Sequence, residues 1–201
     1  MSLAMRRHTD VIAESLALTG KLGAGKLVLD VGCGSGGLTR FLARAGARAI
    51  GVEPGAAALA AARAAPREGD ERYVEGAGER LPFPDRSVDA VIYLNSLHHV
   101  ALAAQAAAIL DAGRVLVAGG ALLVIEPLAE GSNFELTRNV DDETEVRAAA
   151  YAALRESPSA LFAHEHEETY DTAVRHADFA AFCMHMLAVD LWAPQPDNNV
   201  R

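Results

Sequence analysis

Residues 28–37 read Val-Leu-Asp-Val-Gly-Cys-Gly-Ser-Gly-Gly, and this stretch decides the fold. Apolar residues and one acid run directly into a cluster of glycines, and residues 38–43 then have helical spacing. The pattern predicts a buried strand, a tight turn and a helix. Because glycine carries no Cβ, backbone N–H groups in such a turn can approach a ligand closely.

A carboxylate stands at the end of the second predicted strand. Residues 49–52 are Ala-Ile-Gly-Val, and Glu53 follows them. A carboxylate at this distance from a glycine turn can bind the two hydroxyls of a ribose. The sequence therefore predicts a site for a nucleoside-containing cofactor.

Two cofactors fit the glycine pattern. Gly32, Gly34 and Gly37 satisfy the G-x-G-x-x-G spacing of dinucleotide sites. Asp30, however, lies two residues before the first glycine, where its charge would repel a diphosphate and attract an ammonium or sulfonium. S-adenosylmethionine carries both cations and no phosphate, so the sequence favours it, and an NAD-dependent oxidoreductase stays as an alternative.

The order of the predicted elements indicates an α/β fold, with a Rossmann-like, mostly parallel sheet flanked by helices. The predicted strands are 26–31, 47–53, 72–75, 88–94 and 121–126, and the predicted helices are 5–18, 37–45, 56–65 and 102–113. Asp30, Glu53, Asn95 and Glu126 fall at strand ends, so we expect them to converge on one crevice.

The last third of the chain is less regular. It predicts an amphipathic helix at 141–156, an extended segment at 161–174, an apolar helix at 177–189 and a polar tail from Ala193. Residues 167–174 are the one candidate for a strand after the fifth, so the carboxyl-terminal part of the sheet appears shortened. We predict a single domain, 1–201, with a core at 26–127, a helical lid at 1–20 and a substrate or association region at 128–201.

Composition limits the partners. The chain has 201 residues, enough for one core, and a net charge of −9, which disfavours nucleic acid and anionic membranes. Neither a membrane-spanning stretch nor a signal peptide is visible, so we expect a cytoplasmic protein without membrane insertion. Cys33 and Cys183 are expected to be reduced thiols.

These segments together resemble the class I S-adenosylmethionine-dependent methyltransferases. The likeness is greatest to the type 11 group, which includes ubiquinone and menaquinone biosynthesis enzymes, and it covers 26–127. Residues 28–36 resemble the family's first motif and residues 51–54, Gly-Val-Glu-Pro, its second. Residues 79–89 are similar to its adenine-side loop, and Leu-His-His-Val at 97–100 follows strand four as in relatives.

The resemblance implies an S-adenosylmethionine-dependent transfer of a methyl group to a small-molecule acceptor. Asp30 and the glycine loop would take the methionine end and Glu53 the ribose. The residues expected to bind the cofactor are Asp30, Gly32, Cys33, Gly34, Ser35, Gly36, Glu53, Pro54, Ala77, Gly78, Glu79, Asn95 and Leu97. His98 and His99 are candidate proton acceptors, with helix capping and pocket lining as the alternative.

Two departures from the family keep other hypotheses open. Ala77 stands where relatives carry an aspartate that accepts a hydrogen bond from the adenine amino group. The alanine at this position and the short carboxyl end leave a catalytically silent domain, which binds the cofactor or serves for dimerisation, as an alternative. We also predict a homodimer. No metal site is predicted, because the alternating His164, His166 and Glu168 fit a solvated polar face better than a ligand set.

Overall fold

The computed structural model describes residues 4–157 and 161–183 of the chain. The helices within these residues are α1 (His8–Leu18), α2 (Gly37–Arg44), α3 (Ala56–Ala64), α4 (Gln105–Val115), α5 (Gly131–Thr137) and α6 (Thr144–Arg155). The strands are β1 (Leu27–Val31), β2 (Arg48–Glu53), β3 (Asp70–Glu75), β4 (Val88–Leu94) and β5 (Leu116–Ile125).

The five strands form one sheet in the order β3-β2-β1-β4-β5, and every neighbouring pair is parallel. In this register Asp30 of β1 lies between Gly51 of β2 and Ile92 of β4. From β1 the chain continues to β2 on one side of the sheet, and from β4 it continues to β5 on the other side. The strand order therefore reverses between β1 and β4. A ligand crevice is expected at the carboxyl ends of these strands.

Both faces of the sheet are covered, which is why the central strands are apolar nearly throughout. Successive side chains alternate between the faces. Leu29 and Val31 lie in the cluster that α4 and α6 cover, whereas Val28 packs with Ile12 and Leu16 of α1 on the other face. At about 1.5–3 kcal/mol for each fully buried aliphatic side chain, these two clusters are the main stabilising contribution to the fold.

The predicted fold class is confirmed, but several predicted boundaries are wrong. The first helix begins at His8 and not at Met5, β3 begins at Asp70, and α4 runs Gln105–Val115 after a short 3₁₀ turn at Leu102–Ala104. β5 begins at Leu116, five residues before the predicted start, because its first part pairs with β4 across a register shift between Val88 and Ala90.

The last third of the described chain is mostly helical or irregular. The predicted amphipathic helix is present as α6, and α5 was not predicted. Residues 167–174 do not pair with β5: Asp171 instead forms an isolated parallel bridge with Met5. Of the predicted helix at 177–189, residues 179–183 are helical, and the remainder, like the predicted tail, lies outside the described residues.

Two features of the described residues bear on the expected partners. β5 pairs with β4 and with no strand on its other side, so in this part of the chain the sheet ends there. Among the helices that the structure describes, none combines the length and the apolar composition that crossing a membrane requires.

Candidate functional site

A cavity of about 420 Å³ opens at the carboxyl ends of β1, β2 and β4. This is the edge at which the sequence predicted a crevice. The predicted site residues that line the cavity are Gly32, Gly34, Glu53, Pro54, Ala77, Gly78, Glu79, Asn95 and His99. The fold therefore brings together residues from four separate parts of the chain.

The glycine loop is tightly packed against its neighbours. Gly32 has φ 72°, and a Cβ there would lie 2.6 Å from the Cβ of Ser96. Gly36, with φ 82°, precedes α2, and a Cβ on it would lie 2.6 Å from the ring of Tyr73. Since both positions are left-handed and crowded, only glycine fits them without strain.

Glu53 lies at the cavity wall and is 2% exposed. Its Oε2 accepts a hydrogen bond from the Gly34 N–H and its Oε1 accepts one from the Gly55 N–H, both at 2.8 Å. Each oxygen keeps a further lone pair, so the carboxylate is oriented by the backbone and can still accept from a ligand hydroxyl.

Asp30 is buried at the end of β1 and does not line the cavity. Its Oδ2 accepts a hydrogen bond from the Thr39 hydroxyl of α2 at 2.6 Å. Burial raises the pKa of Asp30 to about 6, although the Thr39 hydrogen bonds act in the opposite direction, and the charge of Glu53 adds to the rise. Two acidic side chains near the ends of β1 and β2, Asp30 and Glu53, thus interact electrostatically.

Cys33, Ser35 and Leu97 are predicted site residues that do not line the cavity. Burial and the neighbouring acids raise the pKa of the Cys33 thiol to about 12, so it is an unreactive thiol at neutral pH. Ser35 is exposed, and its carbonyl accepts a hydrogen bond from Arg40 at 2.9 Å. Leu97 is completely buried in the core beside β4.

His98 is held between two carboxylates and is 4% exposed. Its Nδ1 contacts Glu126 Oε2, and its Nε2 lies 3.4 Å from Glu143 Oε1. Burial disfavours the charged ring, but hydrogen bonds and attraction to the two carboxylates outweigh burial and raise the pKa of His98 to about 9. A ring that is already protonated at neutral pH does not act as a general base.

His99 lines the cavity beside Asn95 and Val100. Burial, reinforced by the positive charge of His98, lowers the pKa of His99 to about 4. The two rings are close, with centroids 4.1 Å apart. Of the two predicted histidines, only His99 can meet a bound molecule, and it is neutral at pH 7.

Comparisons with known proteins match this architecture. The profile of the family described as "Methyltransferase domain" matches residues 29–124. The core of this chain is therefore similar to a methyltransferase domain and has the Rossmann-like fold of such domains. A demethylmenaquinone methyltransferase of Tropheryma whipplei is 38% identical over 103 residues. That match spans 51% of this chain and 42% of the relative, so it covers less than half the relative's length.

Solved structures are similar to a larger part of this chain than the matched relatives are. YcgJ from Bacillus subtilis superposes with a TM-score of 0.54 at 26% identity, covering 70% of this chain and 68% of that one. SpnF, described as a [4+2]-cyclase, superposes with a TM-score of 0.53 at 25% identity, covering 66% of this chain and 53% of its own. Because SpnF is described as a cyclase, the likeness of fold does not by itself define an activity.

The residues that line the cavity fit S-adenosylmethionine. The cavity offers an oriented carboxylate at Glu53, and a Cβ built on Gly34 would meet nothing within 4 Å, so the loop leaves space there. Backbone of Ala77 and Gly78 borders the same space. A volume of about 420 Å³ is within the range of ligand pockets.

Sequence reasoning missed several residues that shape this cavity. Ser96 and Tyr93 both line it. Ser96 Oγ donates to the Val31 carbonyl at 2.6 Å and so joins the ends of β4 and β1. Tyr93 Oη donates to the Gly78 carbonyl at 3.1 Å and fixes the loop after β3. Ser96 could have been predicted from the sequence, because it directly follows Asn95, a predicted site residue at the end of β4. In the structure Asn95 has φ 50°.

Proposed function

We propose that this protein binds S-adenosylmethionine and transfers its methyl group to a small-molecule acceptor. The observation that carries the proposal is the cavity in which the open glycine loop and the oriented carboxylate of Glu53 face the same space. A loop without side chains and an acid at the end of β2 suit a nucleoside with a charged amino-acid tail.

Each part of the cofactor has residues that suit it. We assign the loop at 32–36 to the methionine end, and Asp30, buried near the end of β1, would attract its ammonium group. Glu53 is placed for the ribose, and Ala77 and Gly78 border the space for the adenine. Asn95 and His99 then lie on the side that faces the acceptor.

When bound, S-adenosylmethionine supplies a methyl group already activated by the sulfonium. The protein's task is therefore to align an acceptor atom with that methyl group and to exclude water, which can supply much of the rate. His99 lies beside the cavity, and its surroundings, with the positive charge of His98, lower its pKa and so make its ring a weaker base than an ordinary histidine. We expect positioning to contribute more than base catalysis by His99.

Two observations favour a small acceptor. The net charge is −9, and the Tropheryma whipplei relative is named a demethylmenaquinone methyltransferase. An acidic protein repels the phosphates of nucleic acid. A quinone-like ring or another compact aromatic molecule is the class of acceptor to test first.

A second candidate is a domain that binds the cofactor without transferring its methyl group. Ala77 removes one hydrogen-bond acceptor from the adenine side, at a cost of about 0.5–1.5 kcal/mol in affinity. The likeness to SpnF, described as a cyclase, also supports this candidate. The two candidates share the cofactor and differ in whether S-adenosylhomocysteine is formed.

Thermal denaturation tests the cofactor assignment. S-adenosylhomocysteine at about 100 times its dissociation constant should stabilise the fold by about 2.7 kcal/mol, whereas NAD and NADP should leave the Tm unchanged. A Tm shift with NAD and none with S-adenosylhomocysteine contradicts the assignment. Incubation with S-adenosylmethionine and a panel of phenols and quinols then separates the candidates, because only the enzyme releases S-adenosylhomocysteine.

A further inference from the structure

A gap between two hydrogen-bond acceptors lies beside the cavity. Glu126 accepts the Nδ1–H of His98, so the neutral ring presents the lone pair of Nε2 to Glu143 Oε1 at 3.4 Å. An imidazole lone pair and a carboxylate oxygen repel each other unless a positive charge lies between them. Either a proton or a metal ion can occupy that place.

We propose that His98, His99 and Glu143 bind a divalent transition-metal ion such as Zn²⁺. Each residue offers one ligand atom, and these atoms all lie within 4.8 Å of one another. Two ligands bound at about 2.1 Å to one metal in tetrahedral geometry are about 3.4 Å apart. The observed separation of His98 Nε2 and Glu143 Oε1 is 3.4 Å.

Neighbouring groups orient two of the three ligands, His98 and Glu143. A metal-binding histidine usually donates its other ring N–H to a carboxylate, and Glu126 takes this position for His98. Glu126 is itself fixed, because its Oε1 accepts the Ser96 and Leu97 N–H groups at 3.1 and 2.8 Å. The carboxylate that orients the ring is thus held by the backbone at the end of β4.

Glu143 is oriented by a different group. Arg147 binds its Oε2 through Nε at 3.1 Å and Nη2 at 2.5 Å, and this leaves Oε1 directed towards His98. Arg147 also donates to the Leu128 carbonyl at 3.0 Å, so the guanidinium is held from a second side. With Glu126 and Arg147 included, the site has a net charge of −1 when both histidines are neutral, which favours a cation.

The site reaches the cavity through His99, which lines it. Three protein ligands leave one position of a tetrahedral ion for another molecule, as in catalytic zinc sites. This consequence rests on the proposed function: an ion here would bind an oxygen or nitrogen atom of the methyl acceptor and lower its pKa. The sequence had predicted no metal site, because it could not place Glu143 beside the two histidines.

Metal titration of the tag-free, chelator-treated protein tests the proposal without any cofactor. Calorimetry should show one equivalent of Zn²⁺ bound per chain at micromolar free metal, and Co²⁺ should give the visible absorption bands of a four- or five-coordinate ion. Mn²⁺ should bind more weakly than either ion. The absence of Zn²⁺ and Co²⁺ binding overturns the proposal.

Variants locate the site. His99→Ala and Glu143→Gln should each weaken Zn²⁺ binding by at least about tenfold. The exposed His164→Ala is the matched control and should bind like the unaltered protein. Circular dichroism of the metal-free variants checks their folding, and if Glu143→Gln fails to fold, His99→Ala decides the question. Binding retained by either folded variant, or lost in His164→Ala, overturns the proposal.

The test of the metal site can fail or succeed independently of the test of the proposed function. The Tm shift with S-adenosylhomocysteine is measured on the same chelator-treated protein, and it depends on Glu53 and the glycine loop. A protein that binds Zn²⁺ but not S-adenosylhomocysteine keeps the metal site and loses the proposed function. A protein that binds S-adenosylhomocysteine but not Zn²⁺ keeps the proposed cofactor site and excludes the metal site.

Discussion

Glu53 shows how one side chain serves both the fold and the proposed ligand. Replacement by alanine would leave the Gly34 and Gly55 N–H groups without their acceptors, so lost stability would obscure lost binding. Glu53→Gln keeps one oxygen acceptor and almost the same shape. We expect it to weaken S-adenosylhomocysteine binding by about 1.5–3 kcal/mol, because the bonds to the ribose lose their charge assistance. Calorimetry that shows an unchanged dissociation constant would exclude the ribose role.

Asp30 should make stability depend on pH. Burial raises the folded pKa of Asp30 to about 6, above the ordinary range of an aspartate. Its favourable contribution to stability is therefore complete below about pH 4 and is lost as the pH rises through 6. Asp30→Asn mimics the neutral acid and keeps an acceptor for Thr39. It should raise the free energy of unfolding at pH 8 by up to about 3 kcal/mol and leave it nearly unchanged at pH 4.

Chemical denaturation of Asp30→Asn at the two pH values measures this difference. Asp70→Asn, at an exposed position, is the control, and it should show little change at either pH. If Asp30 pairs with the ammonium of the cofactor, Asp30→Asn should also weaken cofactor binding while it stabilises the fold. Equal stability effects at pH 4 and pH 8 would contradict a buried, charged Asp30.

At the scale of elements, α4 holds the loop that leads into β4. Arg114 donates to the carbonyls of Phe83 and Leu81 at 2.8 and 3.1 Å, while Asp111 Oδ2 accepts the Leu81 N–H at 2.6 Å. This loop follows Ala77 and Gly78, which border the cavity. Arg114→Met should therefore destabilise the fold by about 1–3 kcal/mol and weaken cofactor binding.

Substitution of a second, exposed arginine is the control that distinguishes the loss of the Arg114 contacts to the loop from the loss of a positive charge. Arg138→Met removes an exposed side chain that pairs with Glu135 three residues earlier on α5, and it should cost less than about 0.5 kcal/mol. Denaturant titration and calorimetry on both variants provide the comparison. Equal losses in the two variants would show that Arg114 has no special role in holding the loop.

Elements that depend on neighbouring residues in the sequence were predicted, whereas features that depend on contacts between distant parts of the chain were not. The unit from β1 to α2 was predicted because residues 28–43 carry its apolar run, its glycines and its helical spacing locally. The two carboxylates that contact His98, Glu126 and Glu143, lie far along the chain, so no local pattern indicated these contacts. Helix α5 was missed because it is seven residues long and starts Gly-Ser-Asn, which are weak helix formers.

For the molecule as a whole, the unpaired side of β5 is the feature that the fold leaves unexplained. Within residues 4–157 and 161–183 this strand has β4 as its one neighbour, and all residues from 117 to 125 are at least partly exposed. By contrast, five of the seven residues of β4 are buried. An open strand edge with apolar side chains favours pairing with another chain.

We therefore expect a homodimer through this region. Burial of a few hundred Å² of apolar surface at about 25 cal/mol per Å² favours association, although lost translational entropy offsets much of it. Light scattering during size-exclusion chromatography should give twice the chain mass of 21.2 kDa. Ala118→Lys, at an exposed position of β5, should shift the protein towards monomer, whereas Ala103→Lys, exposed near α4, should not. A monomer mass across the micromolar range would contradict the expectation, and an unaltered dimer in Ala118→Lys would place the contact elsewhere.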